Sequence, residues 1–246
     1  MPDLPASADS SGPETPRPRL DPRPSPAVTL DQQVALRVAA ERLAEEFLGT
    51  FNAETVEKFL ASSYDEFASR SRIVNYLPLL AERFARERLH ALSRVERLAA
   101  DGRVAVLFLC THNAGRSQMA MGFFAHHAGE AGIAWSGGTE PGTEVNPAAV
   151  AAMAERGIDI SGEYPKPWTD EVVRAADAVI SMGCGDACPI FPGKRYEDWD
   201  LADPEGLEVA DVRSIRDDIE RRVLTLIGEL GLHPAHPLRD ATRAGA

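Results

Sequence analysis

The stretch VAVLFLCTHNAGRSQMA, residues 104–120, changes character at Cys110. Six residues rich in Val, Leu and Phe, Val104 to Leu109, read as a short buried strand; the next are small or polar, and a helical pattern starts near Ser117. A strand, a tight loop of seven residues from Cys110 to Arg116 and then a helix make an anion cradle. The first N–H groups of a helix have no intrahelical partner, and the positive end of the macrodipole lies among them. A cysteine at the floor of that cradle has its thiolate favoured by those groups and by a nearby guanidinium. Arg116 offers a planar fork for two oxyanion oxygens, and Ala114 and Gly115 let the backbone approach closely. A Cys and an Arg six positions apart are a weak signal alone; the strand before and Ser117 with its helix behind make the signal specific.

Downstream, strands and helices alternate. Helix Ser117 to about Gly129 is followed by a strand at Ile133–Ser136, a helix capped by Asn146-Pro147 and stopped at Gly157, and a helix from Trp168-Thr169 to about Ala176. Ala178–Ser181 reads as a third strand and Arg195–Asp198 as a fourth; Val212, Ile215, Ile219, Val223, Leu226 and Leu230 share one face of a last helix. Such alternation predicts an α/β domain over 101–232. It has a four-stranded parallel sheet with helices on both faces and its ligand at the carboxyl ends of the strands, where Cys110 stands.

Upstream, residues 1–28 hold eight prolines and no periodic pattern, which predicts a disordered tail. Three amphipathic helices then form a bundle over 29–100. Leu30, Val34, Val38 and Leu43 mark one face of the first helix, which Gly49 stops; Asn52 caps the second, with Val56, Phe59 and Leu60, ending near Ser69–Ser71. After the Arg72-Ile73-Val74-Asn75 turn, Pro78 opens the third, with Leu80, Phe84 and Leu89. No bundle residue has a catalytic look, and its charges read as a solvated surface. Residues 233–246 read as a flexible C-terminal tail.

The net charge of −12 argues against nucleic-acid and anionic-membrane partners. There is no apolar run long enough to span a bilayer and no signal peptide pattern, so the chain reads as cytoplasmic. Of the three cysteines, Cys184 and Cys188 follow directly on the third strand, four residues apart, within reach of disulfide geometry. Their alternatives are small buried hydrophobes or half a zinc site, but zinc would need two more ligands; His126-His127 read as surface residues, and no metal site is predicted. Redox chemistry is favoured.

The run CTHNAGRSQMA resembles the Cys-x5-Arg-Ser loop of the low-molecular-weight protein tyrosine phosphatase superfamily, and Gln118-Met119-Ala120 resembles its arsenate reductases, where the phosphatases usually have Pro. The likeness continues through residues 137–162 and Trp199–Pro204 to about Leu230, and the bundle is similar to the dimerisation domain of some actinobacterial reductases. The resemblance implies an arsenate substrate, Cys110 as nucleophile and an oxyanion cradle of Thr111, His112, Asn113, Ala114, Gly115, Arg116 and Ser117. It also implies Asp203 of the Asp-Pro turn as proton donor, and a homodimer. The competing arrangement packs the bundle on its own catalytic domain.

It further implies a Cys110, Cys184, Cys188 disulfide cascade with no bound cofactor, emptied by thioredoxin. Rival readings are a mycothiol-dependent transferase using Cys110 alone with a mycoredoxin, and a tyrosine phosphatase using Cys110, Arg116 and Asp203. A non-enzymatic oxyanion-sensing scaffold is the weakest, because the Cys, Arg and Ser are intact. Met121 replaces the acidic residue of a potassium site found in some reductases, and Glu205-Gly206 replace phosphatase tyrosines, so no potassium dependence is expected.

Overall fold

The computed structural model describes residues 28–69, 76–98, 102–183 and 191–233. The Pro-rich tail up to Ala27, the Arg72–Asn75 turn, Asp101, Cys184, Cys188 and the C-terminal tail beyond His233 lie outside these residues.

Strand β1, Val104–Cys110, is the centre of the fold. It pairs in parallel with β2, Gly132–Gly138, on one side and with β3, Ala178–Met182, on the other; β4, Arg195–Asp198, adds to β3, giving the order β2-β1-β3-β4. β2 runs further at both ends than its apolar centre suggests. All-parallel strands are joined by crossovers that place helices on the faces, so both faces must be apolar. β1 meets that need by alternation. Val106, Phe108 and Cys110 face a core built with α4 (Arg116–Ala128), α5 (Pro147–Ala154) and α7 (Val209–Glu229). Ala105, Leu107 and Leu109 face the opposite core, with Val172 and Val173 of α6 (Asp170–Ala175).

The four-stranded α/β class expected from the alternation is the observed one. α5 stops at Ala154, and a turn carries the chain to Gly157, whose φ of 76° suits glycine. On α7, Val212, Ile215, Ile219, Val223 and Leu226 are all buried.

Before the sheet come α1 (Leu30–Glu46), α2 (Ala53–Ala68) and α3 (Leu77–Val95). Thr29 caps α1 in a capping box with Gln32, Asn52 Oδ1 accepts the Thr55 N–H at 2.8 Å, and Pro78 lies in the first turn of α3. The inward face of α1 differs from the one its apolar spacing suggests. Leu30, Val34 and Val38 face solvent, whereas Gln32, Ala39 and Leu43 are buried. Leu36, Ala40 and Phe47 pack on that same side, and Gln32 Oε1 there accepts both the Thr29 N–H (2.9 Å) and the buried Tyr64 hydroxyl (3.1 Å).

The bundle packs on its own catalytic domain through α3. Ala91 of α3 joins the core beneath β1, and Arg88 bonds Glu171 of α6 at 2.5 Å. Arg94 reaches Asp177 at 2.6 Å and the Ala175 carbonyl at 3.0 Å. The bundle's charges are therefore not simply a solvated surface: Glu82 is buried against Arg42 and Arg86. His127 is also buried, against Glu220 of α7 at 3.3 Å, rather than on the surface, because α7 crosses over that end of α4. Between α5 and α7, hydrogen bonds from Arg213 and then Arg216 hold the Glu155 carboxyl down to about 2. No described helix is long and apolar enough to cross a membrane.

Candidate functional site

The strand order reverses at β1, which has a crossover to either side, so a crevice opens at its carboxyl end. Cys110 closes β1 there, in register with Gly138 of β2 and Met182 of β3. Its thiol is 2% exposed. The Asn113 N–H donates to Cys110 Sγ at 3.2 Å, and Ser117 Oγ lies 3.0 Å from the sulfur. Asn113 Nδ2 donates to the same Ser117 Oγ at 2.8 Å, which leaves the serine proton free to point at the sulfur. The Asn113 N–H and the Ser117 hydroxyl thus both contact one buried sulfur.

Asn113 makes this possible by a backbone φ of 48°, a left-handed conformation that asparagine tolerates better than most residues. It is held there from three directions. Gln118 Nε2 donates to its carbonyl (3.0 Å) and to its Oδ1 (3.2 Å), and the Lys166 N–H donates to Oδ1 at 2.9 Å. Gly115 ends the loop and α4 begins with no side-chain cap, so the helix N-terminus opens toward the crevice.

Arg116 is nearly buried and points at Asp203, with Nη2 at 2.5 Å from Oδ2 and Nη1 at 3.4 Å from the Leu201 carbonyl. The Asp-Pro turn is pressed onto the loop, since a Cβ on Gly115 would lie 2.5 Å from Pro204 Cγ. Asn146 ties the two together: its N–H donates to the Ala114 carbonyl at 2.8 Å and its Nδ2 to the Pro204 carbonyl at 2.9 Å. His112 sits at the mouth, half exposed, with Nδ1 3.5 Å from Glu205 Oε2. Thr111 turns aside, donating its hydroxyl to the Gly183 carbonyl at 3.0 Å.

Cys110, His112, Ala114, Gly115, Arg116 and Asp203 line one open cavity, Asn113 and Ser117 lie behind it against the sulfur, and Thr111 is turned away from it. Cys184 and Cys188 fall outside the described residues. Four contributors escape a reading of the sequence. Asn146 reads only as a helix cap. Lys166 and Gln118 act through hydrogen bonds that spacing does not reveal. Gly183, with φ 75°, is where a Cβ would lie 2.8 Å from Arg116 Nη1. Glycine just after a strand is the only local mark of that approach.

Residues 105–233 match the low molecular weight phosphotyrosine protein phosphatase family, and residues 36–93 match the N-terminal domain of protein-tyrosine-phosphatase-like proteins. The chain belongs to the low molecular weight phosphotyrosine protein phosphatase family. Its relatives there include arsenate reductases. A putative arsenate reductase of Halobacterium salinarum is 36% identical over 137 residues, 54% of this chain and 96% of that one. The arsenate reductase of Staphylococcus xylosus is 38% identical over 119 residues, 47% of this chain and 89% of that one. The solved structure of a Corynebacterium glutamicum thioredoxin-dependent arsenate reductase is 42% identical with a TM-score of 0.74, covering 81% of this chain and 98% of that one. That coverage extends past the phosphatase-like half into the helices.

Proposed function

We propose that this chain reduces arsenate to arsenite in the cytoplasm, with Cys110 as nucleophile. The observation that carries the reading is the sulfur itself, buried, held by Asn113 N–H and Ser117 Oγ and overlooked by Arg116 and Asp203. The relatives named arsenate reductases support the choice of substrate.

In the proposed cycle Cys110 thiolate bonds to arsenic(V), and the departing oxygen leaves as water with a proton from Asp203. Arg116 and the loop N–H groups hold the remaining oxygens. Cys184 thiolate then attacks Cys110 Sγ; the sulfur–arsenic bond breaks, its electron pair stays on arsenic, and arsenite leaves. Cys188 attacks Cys184, freeing Cys110 and leaving a Cys184–Cys188 disulfide that a dithiol reduces. Met182 is paired with Cys110, and Cys184 follows it by two residues in sequence, which suits the second step. Thioredoxin is the proposed reductant, as the name of the C. glutamicum structure suggests.

The test is NADPH oxidation on adding arsenate to the protein with thioredoxin and thioredoxin reductase, beside Cys188→Ser. Turnover that the variant loses supports the cascade. Turnover that the variant keeps, or that appears only with mycothiol and mycoredoxin, overturns the cascade in favour of the Cys110-only transferase; hydrolysis of an aryl phosphate without any arsenate turnover overturns the reductase reading.

The proposal includes a homodimer formed through the bundle. Leu30, Val34 and Val38 make an exposed apolar stripe at helical spacing along α1, of the kind a second copy would cover. Light scattering is expected to give twice the chain mass of 26.6 kDa, falling to one mass in Val34→Glu/Val38→Glu. A single mass for the parent protein overturns the dimer.

A further inference from the structure

Tyr164, Pro165 and Lys166 are buried and face two ways. The Tyr164 and Lys166 side chains belong to the helical bundle. The Tyr164 ring stands edge-on to Phe67 of α2, centroids 5.7 Å apart, beneath the Arg83 guanidinium at 4.6 Å. Its hydroxyl donates to Glu87 Oε1 of α3 at 3.4 Å. Lys166, 2% exposed, lays its ammonium 4.6 Å from the centre of the same ring and pairs with Glu87 Oε1 at 3.1 Å, with Glu163 further off at 3.8 Å.

The backbone of the same segment belongs to the catalytic loop. The Tyr164 carbonyl accepts Gln118 Nε2 at 3.1 Å, the Lys166 N–H holds Asn113 Oδ1, and the Lys166 carbonyl accepts the Gly138 N–H at 2.9 Å. Asn113 in turn presents its N–H to Cys110. One carboxylate on α3 is therefore two residues of contact away from the hydrogen bonds that fix the sulfur.

We propose that Glu87 is a positioning residue for Cys110: by clamping Lys166 and Tyr164 to the bundle it holds Asn113 with its N–H on the sulfur. An ammonium this deeply buried needs a carboxylate close by. Without Glu87 the ammonium keeps only Glu163, 3.8 Å away, so the segment shifts to tighten that pair or to reach water, and Asn113 loses an anchor. The helical domain then serves as a support for the nucleophile as well as an attachment. The inference rests on the reading of Cys110 as nucleophile, but its test needs no oxyanion.

The test is alkylation of Cys110 by iodoacetamide in the full chain, followed by peptide-resolved mass spectrometry so that Cys184 and Cys188 are not counted. In Glu87→Ala the rate near neutral pH is expected to fall about tenfold, the worth of one hydrogen bond to a charged group. Near pH 10, where a thiol ionises without help, the deficit is expected to close. Arg86→Ala breaks ion pairs to Glu46 and Glu82 in the same bundle without touching the segment, and is expected to keep the parent rate. If Glu87→Ala does not fold, Glu87→Gln keeps the acceptor, removes the charge and is read the same way. A slowing under about threefold, a deficit that persists near pH 10, or an equal slowing in Arg86→Ala overturns the proposal. Failure to reduce arsenate with this alkylation pattern intact would sink the activity and leave the coupling standing.

Discussion

Replacing Cys110 by serine is expected to remove arsenate turnover altogether, a loss of more than about 10⁴-fold. The environment of the sulfur is made of donors: Asn113 N–H at 3.2 Å and Ser117 Oγ at 3.0 Å. Such groups can hold an anionic sulfur, but they give a serine hydroxyl no base to take its proton. In the proposed cascade the redox role fails as well, because there the two electrons that reduce arsenic come from forming a disulfide and an alkoxide cannot supply them. Binding should survive: Arg116, the loop N–H groups and the α4 N-terminus are untouched, and serine is close in size to the residue it replaces. Titration calorimetry with arsenate should therefore show an affinity within about threefold of the parent. Serine turnover above about one per cent of the parent would place the nucleophile elsewhere.

The cradle was legible because it is contiguous. From Val104 to Ala120 the strand, the polar break and the helix are neighbours in sequence, and local patterning decides all three. The cap at Asn52 and the buried face of α7 were legible for the same reason. What escaped is set by partners far along the chain. α1 carries apolar residues on both sides, Leu36, Ala39, Ala40 and Leu43 toward the bundle core and Leu30, Val34 and Val38 toward solvent, and partners far along the chain, Tyr64 of α2 among them, decide between them. Ala91 seals one core by being small, which no pattern advertises. Lys166 lies in a loop, 79 positions from Glu87, and its burial depends wholly on α3 arriving there. Asp203 reaches Arg116 across 87 positions. An Asp-Pro turn is common enough that the family resemblance was needed to single it out.

Arg116→Lys is expected to lower kcat/KM for arsenate by about 10²-fold, chiefly through weaker oxyanion binding, although the charge is conserved. The side chain is 9% exposed and wedged between the Asp-Pro turn and Gly183, whose lack of a Cβ gives Nη1 its room. The guanidinium is engaged on one side, Nη2 on Asp203 at 2.5 Å, with Nη1 near the Leu201 carbonyl at 3.4 Å. A planar fork can keep Asp203 on one edge while presenting further N–H groups to two oxygens of a tetrahedral anion. A lysine ammonium has one centre for both tasks. Asp203 and the oxyanion would compete for it, and whichever lost would leave its oxygens without a donor in a partly buried site. Michaelis constants and phosphate inhibition constants measured for both proteins decide the matter. Both constants should rise together in the lysine variant, and a rise under about threefold would show that the site needs the charge and not the fork.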